Sequence, residues 1–396
     1  MRTRSFALLC GVGLFAFISY NLVRMPVLSL FAGSLGASPE AIGFIVAAST
    51  LTGVFLKWPA GALSDFYDRR WLLLFGLLAF ALPPFAYLLI TDVGWLIALR
   101  FVHGMATAVF APIVLAVVAD VFRESRGAAL GSYTAATQAG AMLGPLLGGW
   151  LIVAAGFPAA FLAAGALGST ALLLFFLLRL PPQIPRVSSQ AGPVSVLTDM
   201  VRGARTVVGN LRVLVTSATD GARQTANGAL MAFLPIYVVG IGFDAAQAGA
   251  LFAVQSVTSF FSRPTMGWVS DRVGRRPLIL LGLVVCAASL AAIPFTRPFS
   301  GLMALSALFG FGEAIVNAAA AALVADLSEL KTLGSAMGMQ GSIMDIGHAS
   351  GPILAGLLIG ALGFQAAFSI IAGLVLLAAV GFLFVVGQER PAAPAP

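Results

Sequence analysis

The feature that most constrains this chain is its division into apolar runs of one recurring length, each closed by charged residues or a Pro/Gly turn. A membrane-spanning helix needs about 20 mostly apolar residues. Breaking the 396 residues at those turns gives twelve such runs, near 6–33, 40–63, 71–91, 95–120, 127–154, 158–179, 211–238, 245–268, 277–295, 299–324, 333–361 and 365–387. Composition agrees: 60% of residues are hydrophobic and 9% charged, where a soluble domain carries roughly a quarter charged. The spacing predicts an all-α integral membrane protein of twelve transmembrane helices. The 44 glycines predict close backbone packing between them.

Several classes of function are disfavoured at once. A net charge of +7 would point to nucleic acid on a soluble protein, but here the basic residues cluster beside helix ends, so no nucleic-acid partner is expected. Cys10 and Cys286 lie in different halves without metal or redox spacing. Only His103 and His348 are present, and neither begins a catalytic motif, so the chain does not read as an enzyme. The first run lacks a small-residue cleavage site and is read as a retained span. With the N-terminus inside, Arg2, Arg4, Arg69, Arg70, Arg123, Arg126, Arg275 and Arg276 fall on inner segments and only Arg297 on an outer loop. The positive-inside rule then makes both termini cytoplasmic.

The chain also repeats itself. Gly61-Ala-Leu-Ser-Asp65-Phe-Tyr-Asp-Arg69-Arg70 and Gly267-Trp-Val-Ser-Asp271-Arg-Val-Gly-Arg275-Arg276 share a Gly, a Ser-Asp pair and a double Arg at one offset of 206, which also pairs Lys57 with Arg263 and Asp120 with Asp326. An offset of 207 pairs Gly140, Gly144 and Pro145 with Gly347, Gly351 and Pro352. Two six-helix pseudo-repeats follow, 1–180 and 211–387, with a polar linker at 181–210 and a tail at 388–396, and both hairpins face the cytoplasm.

Three stretches carry a family resemblance. The hairpins read as a loop signature, the first copy departing from it at Phe66 and Asp68. Arg100-Phe-Val-His103-Gly104 reads as an Arg-x-x-Gln-Gly motif with His in place of Gln, and Gly140, Gly144, Pro145, Gly148 and Gly149 match G-x-x-x-G-P-x-x-G-G in full. With its twelve spans the sequence resembles the major facilitator superfamily, and within it the drug:proton antiporters. That resemblance implies an exporter that alternates access between two halves, a proton-coupling role for Arg100, and a cytoplasmic gate. The gate comprises Gly61, Asp65, Arg69, Arg70, Asp120 and Lys57 with Gly267, Asp271, Arg275, Arg276 and Arg263. The plainer reading of its arginines is as topology anchors.

Charges deep inside spans are costly and mark function. Arg24, Lys57 and Arg100 lie in the first half without a mid-depth acid; Asp220, Arg223, Arg263, Glu313 and Asp345 lie in the second. Asp220 and Arg223, three apart, share a helix face and can neutralise each other. Glu313 and Asp345 have no basic residue within a turn and lie about 18 to 21 Å from their helix starts, near mid-bilayer. Carrier sites lie there, which makes these two acids, with His348 one turn on, the proton-coupling candidates; static ion pairs with Arg24, Arg100 or Arg223 are the alternative. Asn21, Arg24, Arg223, Asn317 and Tyr237 are the candidate substrate-cavity residues. Span 1 has no acid, so an anionic, zwitterionic or amphiphilic substrate is favoured over a lipophilic cation. The expected partners are a small-molecule substrate, protons and the lipid bilayer; the expected cofactor is none, with a proton gradient as energy source, and a monomer is expected. A sugar, metabolite or lipid-headgroup carrier on the same fold is the alternative.

Overall fold

Inside a bilayer no water is present to satisfy backbone groups, so a spanning segment must make its hydrogen bonds internally, as a helix does. The computed structural model describes residues 2–64, 67–178, 209–329 and 332–386, and these are almost wholly helical, with no strand among them. The helices are α1 (Arg2–Leu22), α2 (Leu28–Ser34), α3 (Pro39–Leu63), α4 (Arg69–Ala81), α5 (Pro83–Ala86), α6 (Val93–Val121), α7 (Arg126–Phe176), α8 (Leu211–Gly240), α9 (Ala245–Val273), α10 (Arg275–Ala292), α11 (Phe299–Asp326) and α12 (Leu333–Val385). α1 and α2 form one rod, joined by a π-helical turn over Val23–Val27 in which Met25 is extended ahead of Pro26. The proline ring disfavours a helical residue before it.

By length and apolarity alone, eight segments can cross a membrane. Two of these, α7 and α12, contain 51 and 53 residues, which at 1.5 Å per residue is more than twice the hydrocarbon thickness of about 30 Å. Each is broken by a glycine, Gly156 at φ 79° and Gly363 at φ 80°, a conformation that side chains with a Cβ avoid. α8 and α9, with 30 and 29 residues, are long enough but more polar. Split at the two glycines, and with α4 continued through α5, the described residues form twelve rods of spanning length, which fits the expected fold.

Backbone contacts divide the chain into two compact units. One holds the described residues up to 178 together with Met231–Ala253; the other holds 209–230 and the described residues from Val254 on. The first unit's core gathers Leu73, Leu77 and Phe80 of α4 with Val109, Phe110 and Ile113 of α6 against Val12 and Ala16 of α1. The second has a smaller cluster of Val213, Val324 and Ala336.

The internal repeat is visible in the packing. A Cβ on Gly76 would lie 2.9 Å from that of Phe110, and one on Gly282 would lie 2.7 Å from Val316 Cγ2, so α4–α6 and α10–α11 touch at residues one offset of 206 apart. Gly104 closes on the Ser49 backbone and Gly310 on that of Gln255, again at the same offset. These crossings fix which side chains of α3, α6, α9 and α11 face the interiors of their units.

Candidate functional site

In the first unit the site is built around Arg100 of α6, which has 0% exposure. Its guanidinium donates to Ser49 Oγ of α3 at 2.5 Å and to the Tyr87 hydroxyl at 3.5 Å, with His103 Nδ1 also at 3.5 Å. Tyr87 and His103 are joined at 3.1 Å. One consistent arrangement has Arg100 donating to Tyr87 Oη, which donates to His103 Nδ1, leaving the fully buried Nε2 as the imidazole's donor, without a hydrogen-bond partner among the described residues. The Tyr20 ring lies under two cations, 5.7 Å from Arg24 and 6.0 Å from Arg100. Among the described residues no carboxylate lies within ion-pair distance of Arg100; hydroxyls, an imidazole and an aromatic face are its whole environment.

The second unit is the opposite case. Arg223 of α8, also at 0% exposure, sits 2.7 Å from Asp220 Oδ1, to which its Nε donates at 2.9 Å. Its other terminal nitrogen lies 3.5 Å from Glu313 Oε1 of α11. Gln340 of α12 donates to the second oxygen of Asp220 at 3.4 Å. The expected Asp220–Arg223 neutralisation is present, but it does not consume Arg223, which bridges two acids. Next along α8, Asn227 donates to Gln224 at 3.4 Å and accepts from Gln255 at 3.1 Å, a chain of three amides.

The remaining expected residues are scattered. Asp345 and His348 are half-buried on α12 and both are engaged in contacts. Arg24 donates to Thr50 at 3.4 Å. Asn21 is 6% exposed, donates to the Phe17 carbonyl a turn back, and packs where α7 approaches at Gly144. Tyr237 is buried and Asn317 half-buried.

The two hairpins differ in burial and in backbone. Arg69 pairs with Asp120 at 2.8 Å, with side chains 6% and 18% exposed, and its Nε donates to the Ser64 carbonyl. Arg275 pairs with Asp326 at 3.2 Å and also with Asp271, in a setting 19% exposed on the arginine and 55% on Asp326. Where the second copy has Gly274 at φ 100°, the first has Asp68 in an extended conformation, its carboxylate capping α4 through Arg70 N at 2.8 Å. The departure at Asp68 therefore replaces a conformation open to glycine by an N-cap. Arg276 donates to the Leu383 carbonyl at 2.9 Å, whereas Arg70 is exposed. Lys57 and Arg263 are half-buried, Arg263 donating to Ser259 at 3.3 Å. A Cβ at Gly61 or Gly267 would meet no atom within 4 Å, so no close contact depends on either glycine. Asp65 and Phe66 lie outside the described residues.

The glycine run of α7 is pressed on two sides. A Cβ at Gly140 would lie 2.7 Å from the Leu14 carbonyl, one at Gly144 2.8 Å from Asn21 and one at Gly148 2.6 Å from the Leu22 carbonyl, all on α1. Gly149 closes on the Ala245 carbonyl of α9, and Gly249 of α9 closes on the Pro145 carbonyl. Sequence reasoning found this run and the charged residues but missed Ser49, Tyr20, Tyr87, Gln255 and Gln340. The one available signal was positional: Ser49 and Gln255 are themselves 206 apart.

Many apolar helices of spanning length with buried charge among them describe a multi-pass membrane protein. The profile of the Major Facilitator Superfamily matches residues 8–219 and 221–396, and the chain belongs to that superfamily; it is a carrier, not an enzyme. It is 27% identical over 377 residues to the multidrug resistance protein MdtG of Salmonella typhimurium, covering 91% of this chain and 90% of that one. An uncharacterized MFS-type transporter of Methanocaldococcus jannaschii is 22% identical over 94% of this chain and 95% of its own. Among solved structures, the nucleoside transporter NupG superposes with a TM-score of 0.77 at 15% identity, over 96% of this chain and 100% of that one. A bacterial homolog of the human lysosomal transporter Spinster does so at 0.80 and 14% identity, over 96% of each chain.

Proposed function

We propose that this protein is a proton-coupled exporter of small amphiphilic, anionic or zwitterionic compounds. It works by alternating access of two six-helix halves, 1–180 and 211–387, joined by a cytoplasmic linker, as a monomer in the inner membrane with both termini cytoplasmic. No cofactor takes part, and the proton gradient supplies the energy. The observation that carries the reading is the run from Gly140 to Gly149, matched position for position to the antiporter signature and closed backbone to backbone against α1 and α9. The full-length likeness to a multidrug resistance protein supports export. The acid-free surroundings of Arg100 support an anionic group on the substrate. Protons are handled by Glu313 and Asp345, with Arg100 and His348 assisting. Arg69–Asp120 and Arg275–Asp326, with Lys57, Arg263 and the rest of both hairpins, form the cytoplasmic gate.

The test is uptake of a labelled anionic amphiphile into inverted membrane vesicles with and without a pH gradient. Uptake should stop when the gradient is dissipated; unchanged uptake refutes proton coupling. A second reading, a carrier of uncharged polar metabolites, is favoured by the amide chain Gln224–Asn227–Gln255, since amides recognise hydroxyl and ring-nitrogen groups. Competition by an uncharged nucleoside or sugar, with none by the amphiphile, would establish it.

A further inference from the structure

We infer that Trp268 and Arg272, at the hairpin end of α9, hold the headgroup of one anionic phospholipid whose acyl chains lie along the apolar face of the same helix. The inference goes beyond transport and does not depend on which compound the carrier moves. Its starting point is a positioned cation. The Arg272 guanidinium carbon lies 3.7 Å from the centre of the Trp268 ring, one turn back on α9. Such stacking holds the planar guanidinium by its face and leaves the N–H donors on its edge free. The side chain is exposed, and it makes no hydrogen bond or ion pair with a described residue.

The other charges of the hairpin are already committed. Asp271 and Asp326 both bond to Arg275, and neither lies within ion-pair distance of Arg272. Arg276 is buried and donates to the Leu383 carbonyl at 2.9 Å. Of the three arginines in this stretch, Arg272 alone keeps its whole charge for a ligand among the described residues. A planar guanidinium with free edge donors suits a phosphate, which it can grip through two parallel bonds.

The surface beside that cation selects a lipid over a soluble anion. Val257, Phe261 and Trp268 are 39, 68 and 54% exposed, and spacings of four and seven residues put them on one face of α9 with Arg272. Phe261 lies eleven positions before Arg272, about 16 Å at 1.5 Å per residue. A single leaflet is half of a hydrocarbon core about 30 Å thick, so the apolar track below the guanidinium is one leaflet deep. Trp268 stands where the two meet, the level at which indole rings settle in a bilayer. A free phosphate would use the guanidinium only, whereas a phospholipid uses both parts. An anionic headgroup is favoured over a zwitterionic one because its charge is not offset by an ammonium of its own.

The repeat does not account for this pair. Asp271, Arg275 and Arg276 have counterparts 206 positions earlier in Asp65, Arg69 and Arg70, but the positions matching Trp268 and Arg272 are Ala62 and Phe66. What both hairpins need for their shared architecture is therefore present without the stacked pair, which belongs to the second copy alone.

The test is native mass spectrometry of the full-length protein released into detergent from nanodiscs of equal phosphatidylglycerol and phosphatidylcholine. Wild type should retain one phosphatidylglycerol in preference to phosphatidylcholine. Arg272→Gln should lower that retention about fivefold, the factor equivalent to ~1 kcal/mol for a basic residue at an anionic surface. Arg272→Lys, which keeps the charge and loses the planar stack, should fall between the two, and so should Trp268→Leu. Arg212→Gln removes an exposed arginine from the start of α8, at the same end of this unit, and should leave retention unchanged. Excess inorganic phosphate should not displace the lipid. Because the Arg272 side chain is exposed and unbonded, its two variants should purify like wild type. A wild type that retains neither lipid, or both alike, overturns the proposal, as does unchanged retention in Arg272→Gln. Displacement by inorganic phosphate overturns it too, since the guanidinium would then serve a soluble anion and the apolar track would have no part.

Discussion

Arg100 and Arg223 are both fully buried cations in membrane helices, and their surroundings are opposite. Arg100 is met by a serine, a tyrosine, a histidine and an aromatic face; Arg223 is met by two carboxylates. The glycine contacts beside them run in register through the repeat, Gly104 on Ser49 and Gly310 on Gln255. The charges do not: 206 positions from Arg100 stands Ser306, and 206 positions before Arg223 stands Phe17. Small residues set how closely helices cross, and that constraint is the same in both halves. A cation among hydroxyls has no carboxylate beside it to neutralise its charge, whereas a cation between two acids is compensated by both.

The strongest way to break this contrast is to remove each arginine. Arg223→Met leaves Asp220 and Glu313 buried together without a cation, which should cost about 3 to 5 kcal/mol, read as a lowered Tm or loss of the monodisperse peak in detergent. Adding Glu313→Gln should recover part of that loss. Arg100→Gln leaves no orphaned acid behind; its cost is that of the hydrogen bonds to Ser49 and Tyr87, about 2 to 3 kcal/mol, with export lost while the protein still purifies. Equal damage from the two substitutions would mean that Arg100 has an acidic partner after all, and the contrast would fall.

The rods and the two hairpins were legible because each rests on a length or a spacing along the chain, and Arg69, Asp120 and Arg275 were singled out in that way; the Arg275–Asp326 pair was not. Helix length is counted in residues, and a motif repeated at an offset of 206 brings its partners along. The Asp220–Arg223 pair was legible for the same reason, being three residues apart on one helix. The Arg223–Glu313 contact was not, because it depends on how α8 and α11 are rotated about their axes, which no local pattern records. Tyr20, Ser49 and Tyr87 were hidden differently: in an apolar helix a lone hydroxyl has no periodicity to mark it, and its role emerges only when Arg100 points at it. α8 and α9 were placed by length, although their amides and charges make them more polar than the other spans.

The hairpins repeat the contrast on a smaller scale. Arg69→Ala removes a partner from a largely buried ion pair and leaves the Ser64 carbonyl unpaired, for about 1 to 2 kcal/mol. Arg275→Ala removes pairs whose carboxylates are exposed and should cost less than about 1 kcal/mol, with a salt dependence that the first variant lacks. Similar losses in thermal unfolding would show that burial does not separate the two copies.

The smallest effect is the most diagnostic of how the first hairpin came to differ. Asp68→Gly gives the first hairpin the residue that the second has at Gly274 and removes the carboxylate that caps α4 through Arg70 N. Exchange of a capping Asp for Gly costs only a few tenths of a kcal/mol, because glycine is itself tolerated at an N-cap. The reverse change, Gly274→Asp, should cost more, since φ is 100° there and a Cβ is strained whatever its side chain offers. Thermal unfolding of the two single variants should therefore be unequal, with Asp68→Gly close to wild type. If instead Gly274→Asp were neutral, the second hairpin would have adopted the capped, extended conformation of the first, and the two backbones would be interchangeable rather than fixed by these two residues.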